Sequence, residues 1–246
     1  MFRETIKENE NWHRVSKEGE YVGMIKETST ENKAYRDLIL NNNVDTLDKV
    51  WRNAVTKYDD KLCLGTRKIH GTEEERQEDG KVFKKLNLGE YEWMSYREAF
   101  DVSCKFGRGL RSLGQQPRTP IAIYAETRAE WILGALGAFS QSIIVSTVYT
   151  NLGQEAICHS FNETEVSVVI TSSALLPMFK TILHSCPNIK HLIVIRGQTD
   201  TGSVFDIDNR SVQVHDFTDV VSLGEDNVSG ASPPQPDDVA IIMYTR

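Results

Sequence analysis

The sequence predicts an α/β fold, in which a mostly parallel sheet carries helices on both faces. The first observation is a series of short apolar runs rich in β-branched residues, at 121–124, 143–148, 166–171 and 192–195. The second is that helical patterns separate these runs. Strands that alternate with helices form βαβ units, and a right-handed crossover packs each helix back on the sheet.

The composition indicates a folded chain and argues against some classes of binding partner. The 246 residues are 39% hydrophobic, which is enough for one large core or two small ones. The net charge of −7 argues against bulk binding to nucleic acid or anionic lipid, and we predict no nucleic-acid partner. The cysteines lack metal-site spacing, so we expect reduced thiols in a cytosolic compartment; they are Cys63, Cys104, Cys158 and Cys186.

The first half of the chain gives weaker signals. Residues 1–44 are polar and poorly periodic, which predicts an N-terminal extension. Residues 46–58 show one apolar face and predict a helix that Asp45 or Thr46 caps. A short strand is predicted at 61–66 and a charged loop at 71–80, whose acidic run we interpret as solvated rather than metal-binding.

A hairpin and two capped helices are predicted next. Residues 81–88 and 91–94 flank Gly89 and Glu90, which predicts a hairpin turn there. Its lysines, at 81, 84 and 85, fit either a blunted edge strand, which we favour, or contact with membrane or phosphate. Ser95-Tyr96-Arg97-Glu98 and Thr127-Arg128-Ala129-Glu130 each have the capping-box pattern that begins a helix.

Glycines mark the packing and the end of the first of these helices. Gly114 is predicted to end it. Gly107 and Gly109 lie inside it, where glycine lowers helix propensity, and we therefore expect them to pack closely against a neighbouring element.

Residues 131–154 contain no charged side chain and are long enough to cross a bilayer. Several polar residues interrupt the stretch, however, and its second half is β-branched. We therefore interpret it as a buried helix followed by a strand. Further helices are predicted at 153–161, 174–184 and 217–223, with a short strand at 212–214.

The last apolar run, 239–244, predicts a buried strand that follows a proline-rich loop at 232–236. Ligands of open α/β sheets bind beyond the carboxyl ends of the strands, so this strand points toward a site. Residue chemistry identifies no catalytic residue: the sequence has no Walker A or dinucleotide-binding glycine motif and no paired-histidine motif. His159 and His215 are interpreted as packed or surface residues rather than ligands.

Three stretches together resemble a known family. They are Gly-Lys-Val-Phe-Lys-Lys-Leu at 80–86 continuing to Tyr-Glu-Trp-Met-Ser-Tyr at 91–96, Ile-Ala-Ile-Tyr-Ala-Glu-Thr-Arg-Ala-Glu-Trp at 121–131, and Val-Tyr-Thr-Asn-Leu-Gly-Gln-Glu-Ala at 148–156. In this order and spacing they resemble the long-chain acyl-CoA synthetases, the AMP-forming fatty acid ligases, and within them the subgroup numbered three and four. The resemblance implies that residues 45–246 are the N-terminal portion of the AMP-binding domain, cut at the start of its phosphate loop.

The resemblance also implies site residues. Ile242-Met243-Tyr244-Thr245 is similar to the entry of the family's phosphate-binding motif, which continues Ser-Gly-Ser-Thr-Gly. Thr245 matches the first threonine of that motif, whose hydroxyl contacts ATP phosphate and Mg²⁺ in the family. Tyr149 is a second cofactor-binding candidate, because it lies in a turn at the carboxyl end of a predicted strand. No catalytic residue carries over.

The implied activity is ligation of a long-chain fatty acid to coenzyme A, with Mg²⁺, ATP and CoA, at the cytosolic side of the endoplasmic reticulum, mitochondrial outer membrane, peroxisome or lipid droplet. We expect no membrane anchor within these 246 residues, and membrane association or a cytosolic location both fit. We expect the 246-residue chain alone to be inactive. The alternatives are a non-catalytic protein that binds the full-length ligase or a membrane partner, and an unrelated α/β nucleotide-binding domain.

Overall fold

The computed structural model describes residues 12–14, 24–26, 43–76, 80, 82–200, 207, 211–226 and 231–244. The chain separates into two compact units, Met1–Asp45 and Thr46–Arg246. In the first unit, β1 (Trp12–Arg14) and β2 (Met24–Lys26) pair antiparallel. The other elements belong to the second unit, which contains the candidate site.

A six-stranded parallel sheet forms the centre of the second unit. Its strands lie in the order β10-β6-β5-β7-β8-β9, and every neighbouring pair is parallel. All six carboxyl ends therefore meet at one edge. The strands are β5 (Pro120–Tyr124), β6 (Ile144–Thr147), β7 (Val168–Ser172), β8 (His191–Ile195), β9 (Gln213–Asp216) and β10 (Ile241–Met243).

Helices cover both faces of this sheet, which confirms the predicted fold class. Alternate residues of β5 separate the two cores, since Ile121 and Ile123 lie in one and Ala122 and Tyr124 in the other. The first core contains residues of α2 (Tyr96–Ser112), α3 (Ala129–Phe139) and α6 (Phe217–Asp226). The second contains residues of α4 (Gln154–Glu163) and α5 (Leu176–Ile182), and a 3₁₀ turn, Leu183–Ser185, follows α5.

Local capping signals explain two helix starts and one helix end. Thr46 caps α1 (Leu47–Tyr58), because its Oγ1 accepts a hydrogen bond from Lys49 N at 3.2 Å. Ser95 and Glu98 form the predicted capping box of α2, with bonds of 3.2 and 2.7 Å. Gly114 follows α2 with a φ of +91°, a conformation that favours glycine. These three predictions are confirmed.

The second predicted capping box is wrong. Arg128 is the N-cap of α3, and no side chain makes a cap hydrogen bond there. Glu130 instead accepts two hydrogen bonds from the Arg128 guanidinium, at 2.8 and 3.0 Å. A bidentate pair between an arginine and a carboxylate is stronger than a hydrogen bond from a neutral backbone amide. This explains why Glu130 pairs with Arg128 and does not cap the helix. The uncharged stretch 131–154 does divide into α3 and β6, as predicted.

The hairpin predicted around Gly89 and Glu90 is longer than expected, and these two residues do not form its turn. β3 (Leu62–Arg76) extends into the predicted charged loop, and β4 (Val82–Ser95) continues through Gly89 and Glu90, where its register with β3 shifts. The two strands pair antiparallel, and the register sets Glu73 opposite Lys85, an opposite-charge pair that favours the ladder. A Cβ on Gly89 would lie 2.3 Å from His70 Nε2, so this glycine serves close side-chain approach within a strand.

The glycines of α2 pack as predicted. A Cβ on Gly107 would lie 2.3 Å from Gly137 O in α3, and one on Gly109 would lie 1.9 Å from Val220 O in α6. Helix α2 thus contacts two helices backbone to backbone.

The last strand is an edge strand, and its interpretation as buried is wrong. β10 pairs with β6 on one side, and no strand among the described residues pairs with its other side. Ile241 is 41% exposed and Met243 58% exposed. An unbroken apolar run indicates a strand, but it does not reveal how many of its sides the chain covers.

Candidate functional site

The candidate site lies at the carboxyl edge of the sheet, where β6 and β10 end together. Met243 lies opposite Thr147 in the parallel register. Tyr149 follows Thr147 by two positions, and Thr245 follows Met243 by two. Tyr149 is 52% exposed in the predicted turn before α4, which Leu152 N closes by donating to Tyr149 O at 3.3 Å. Thr245 lies outside the described residues.

A tyrosine at the end of β10 is anchored to α4. The Tyr244 hydroxyl donates to Glu163 Oε2 at 2.6 Å and lies 3.4 Å from Ser160 O. Desolvation, together with the hydrogen bond and charge of Glu163, raises the pKa of Tyr244 to about 12. His159 Nε2 lies 3.5 Å from the same carboxylate oxygen. His159 is thus a surface residue, as predicted, but it belongs to a polar cluster that holds the end of β10.

Four buried hydroxyl groups lie at the same edge. They belong to the last two residues of each strand flanking β5, and none has a hydrogen-bond partner among the described residues: Ser146, Thr147, Thr171 and Ser172. A buried hydroxyl without a partner is costly, and such groups in native proteins usually face a ligand or ordered water. The carboxyl ends of β6 and β7 therefore contain polar groups that the described residues leave without a partner.

The other half of the carboxyl edge is closed by internal bonds. The Arg196 guanidinium donates to both carboxylate oxygens of Asp216 at 2.7 Å, and Arg128 donates to Arg196 O at 2.9 Å. Asp200 accepts from Gly197 N at 2.7 Å. Its pKa is lowered, chiefly by a hydrogen bond from Ser173. The unpaired groups therefore concentrate at the ends of β6 and β7.

The remaining predicted features do not assemble a second centre. The acidic run at 73–75 lies in β3 and is exposed, and His215 Nε2 lies 3.1 Å from His191 Nδ1. In the described part of the chain, no cluster of three or more histidine, cysteine or acidic side chains is arranged to hold a metal ion. Among the same residues, no helix combines the length and hydropathy needed to cross a membrane.

Sequence reasoning missed the hydroxyl groups and the Tyr244 anchor. The sequence did contain an indication of the hydroxyls, because adjacent Ser and Thr residues lie at or near the ends of two apolar runs, at 146–147 and 171–172. The Tyr244–Glu163 bond joins residues 81 positions apart, and no local sequence pattern indicates it.

Comparison with known proteins identifies the family of this chain. The family described as AMP-binding enzyme matches residues 72–245, well over half of the chain. The chain belongs to the AMP-binding enzyme family. The matched segment includes the whole six-stranded sheet and ends one residue beyond Tyr244.

The relatives of this chain include long-chain acyl-CoA synthetases, which confirms the resemblance. Long chain acyl-CoA synthetase 8 of Arabidopsis thaliana is 36% identical over 206 residues, covering 81% of this chain and 28% of the relative. Long-chain-fatty-acid–CoA ligase 3 of Saccharomyces cerevisiae is 29% identical over 214 residues, covering 79% and 30%. The assignment to subgroup three and four stays a prediction.

A solved structure shares the fold of this chain. The A domain of carboxylic acid reductase from Segniliparus rugosus, in complex with AMP and a co-purified carboxylic acid, matches with a TM-score of 0.67 at 19% identity. The match covers 87% of this chain and 36% of that one. The chain thus spans about a third of the length of the relatives it matches.

Proposed function

We propose that this chain contributes the N-terminal part of the adenylate-forming domain of a long-chain fatty acid–CoA ligase. Residues 45–246 belong to that domain in this proposal, and residues 1–44 are a polar extension. The observation that carries it is the 36% identity with the Arabidopsis synthetase over 206 residues. The polar carboxyl edge of the sheet supports it independently, since open α/β sheets bind ligands there.

The proposed reaction has two steps. The fatty acid carboxylate attacks the α-phosphorus of ATP, which forms acyl-adenylate and releases pyrophosphate. The thiolate of CoA then attacks the acyl carbonyl, which forms the thioester and releases AMP. Bound Mg²⁺ would neutralise phosphate charge, and catalysis of such phosphoryl transfer rests on positioning and electrostatic stabilisation.

The proposed roles of individual residues follow the carboxyl edge. Thr245 offers its hydroxyl to ATP phosphate and Mg²⁺, and Tyr149 lies in the turn toward bound substrate. Hydroxyl groups fit an anionic ligand, because each can donate a hydrogen bond to a phosphate or carboxylate oxygen. The hydroxyl groups of Thr245 and of the half-exposed Tyr149 therefore suit the substrates of such a ligase. The bond from Tyr244 to Glu163 supports the strand end beside them.

The partners in this proposal are a long-chain fatty acid, ATP, CoA and Mg²⁺. The proposed location is the cytosolic side of an intracellular membrane, such as the endoplasmic reticulum, mitochondrial outer membrane, peroxisome or lipid droplet. The 246-residue chain by itself is proposed to be catalytically incompetent, because the relatives that carry the activity are about three times its length.

The test compares two products. We would identify the longest transcript that encodes residues 45–245, express its product and the 246-residue chain, and measure ATP-, Mg²⁺- and CoA-dependent thioester formation. We expect the longer product to make acyl-CoA and the 246-residue chain to make none. In the longer product, Thr245→Ala should reduce kcat, and Thr119→Ala, at the opposite end of the sheet, serves as the matched control.

Two outcomes would contradict the proposal. An inactive but folded longer product would remove the ligase assignment. Thioester formation by the 246-residue chain would remove the proposed incompetence. If the reading frame stops after Arg246 in every transcript, and the chain co-purifies with a full-length ligase, the regulatory alternative replaces the catalytic one.

A further inference from the structure

Two cysteine thiols meet on the face of the sheet that α4 and α5 cover. Cys158 lies on α4 and Cys186 lies directly after the 3₁₀ turn that follows α5. The two thiols are close enough that Cys158 acts on the pKa of Cys186. Cys186 is 2% exposed within the core, and Cys158 packs against the same core but is only half-buried. One thiol is therefore enclosed, and its partner is reachable from the surface.

The backbone around the two thiols is fixed by a separate contact. Asn162 lies four residues after Cys158, on the same face of α4. Its Nδ2 donates to Ser185 O at 2.8 Å, and Ser185 directly precedes Cys186. The segment after Ser185 is closed by a bond from Ile189 N to Cys186 O at 3.3 Å. Helix α4 and the turn are thus held together next to the thiol pair.

We propose that Cys158 and Cys186 form a reversible disulfide when the chain meets a low-molecular-weight disulfide such as glutathione disulfide. The bond from Asn162 to Ser185 holds α4 beside the segment that carries Cys186, and both cysteines pack at the same core, so the two thiols lie near each other before any oxidant arrives. The site is independent of the ligase reaction, because it uses neither the carboxyl edge nor its substrates.

The reaction is a pair of thiol–disulfide exchanges. Deprotonated Cys158 attacks one sulfur of glutathione disulfide, which forms a mixed disulfide and releases one glutathione thiolate. Cys186 then loses its proton to solvent and attacks Sγ of Cys158, which forms the protein disulfide and releases the second glutathione thiolate. Two protein thiols are oxidised, and one glutathione disulfide is reduced to two glutathione molecules.

Burial determines which thiol reacts first. Desolvation, together with the interaction with Cys158, raises the pKa of Cys186 to about 12, so Cys186 carries little thiolate at neutral pH. The half-buried Cys158 is therefore the attacking thiol, and Cys186 resolves the mixed disulfide. The other two cysteines provide controls, since Cys63 packs against the core on the opposite face of the sheet and Cys104 lies on α2.

The experiment incubates the folded 246-residue chain with glutathione disulfide at pH 8 and maps its peptides by mass spectrometry without reduction. We expect a peptide pair linked through Cys158 and Cys186, and loss of two of the four titratable thiols. Dithiothreitol should restore both. The double variant Cys63→Ser/Cys104→Ser should form the same link.

Two single variants separate the steps. Cys186→Ser should stop at a glutathione adduct on Cys158. Cys158→Ser should leave Cys186 unmodified until urea unfolds the chain. A folded wild-type chain that carries glutathione on Cys158 but never forms the link would overturn the proposal, as would a link between other cysteines. A link that forms faster in urea than in the folded chain would also contradict it, because contact in the fold would then give no advantage.

Discussion

Replacing Gly109 with alanine should destabilise the protein, although helix propensity alone predicts the opposite. Gly109 lies inside α2, where alanine is intrinsically better than glycine by about 1 kcal/mol. The new Cβ would lie 1.9 Å from Val220 O and 2.8 Å from Val220 C, both backbone atoms of α6. Since real Cβ contacts essentially never fall below 3.0 Å, α6 must move away by about 1.1 Å.

The size of the change in stability depends on the balance between the gain in helix propensity and the cost of the contact with α6. Overpacking a close-packed contact costs typically about 1–3 kcal/mol, and a rigid helix backbone places this site at the upper end. After the gain of about 1 kcal/mol from helix propensity, the free energy of unfolding should fall by about 2 kcal/mol. For a domain of this size, 1 kcal/mol shifts Tm by about 2–4 °C, so Tm should fall by about 4–8 °C.

Gly134→Ala is the matched control, because Gly134 also lies inside a buried helix. Its Cβ would meet Ile170 Cδ1 at 3.1 Å, which is the movable end of a side chain, and its other neighbours lie at 3.7 Å. Circular dichroism melts of the two variants and of the wild type provide the comparison. We expect Gly134→Ala to melt within a few degrees of the wild type. If Gly109→Ala melts at or above the wild-type Tm, the contact between α2 and α6 is not the tight backbone packing argued above.

Two further predictions concern the ends of β10. Glu163→Gln should lower the Tyr244 pKa from about 12 part of the way to its ordinary value of 10, measured by absorbance titration with Tyr244→Phe as the baseline; an unchanged pKa would exclude Glu163 as a cause. Asp238 has a pKa lowered from 3.8 to about 2, chiefly by a hydrogen bond from Arg118, so its contribution to stability is complete above pH 3.8 and is lost as the pH falls through about 2. The urea midpoints of the wild type and Asp238→Asn should therefore converge over that range, and a constant difference would contradict the assignment.

The sheet and its helices could be predicted because each depends on local pattern. Apolar runs located the strands β5 to β9, and Ser95 with Glu98 located the start of α2. The extent of the hairpin was missed for a physical reason: the part of β3 beyond residue 66 is polar and mostly exposed, so neither alternation nor burial marks it as a strand. Cross-strand pairing stabilises it instead, and a single strand carries no signal of its partner.

The candidate site was only partly predictable. The turn at Tyr149 could be placed, because a strand end followed by turn residues marks the carboxyl edge of a sheet. The contact of Tyr244 with Glu163 depends on how α4 crosses beside β10, which is a tertiary property. The unpaired state of Ser146 and Thr171 likewise depends on what surrounds them in the folded chain.

Strand β10 is positioned by polar contacts at its two ends rather than by burial along its length. At its amino end, Asp238 accepts hydrogen bonds from Arg118 Nε at 2.6 Å, from Ser142 Oγ at 3.0 Å and from Gln235 N at 2.8 Å. At its carboxyl end, Tyr244 donates to Glu163. Its exposed side chains supply little hydrophobic stabilisation, since that contribution is proportional to the apolar area removed from water.

The Asp238 contacts and the Tyr244 bond fix different parts of β10. The Asp238 contacts join the loop before β10 to the turns that precede β5 and β6, so they set the register of β10 against β6. The Tyr244 bond sets where the chain leaves the strand relative to α4. In the proposed ligase the residue that follows Tyr244 contacts ATP phosphate, and an error in its position of about 1 Å is enough to slow such a reaction by about 100-fold. Loss of the Glu163 carboxylate should therefore reduce kcat of the complete enzyme. Expressed as a free energy, this effect should exceed the fall in the free energy of unfolding.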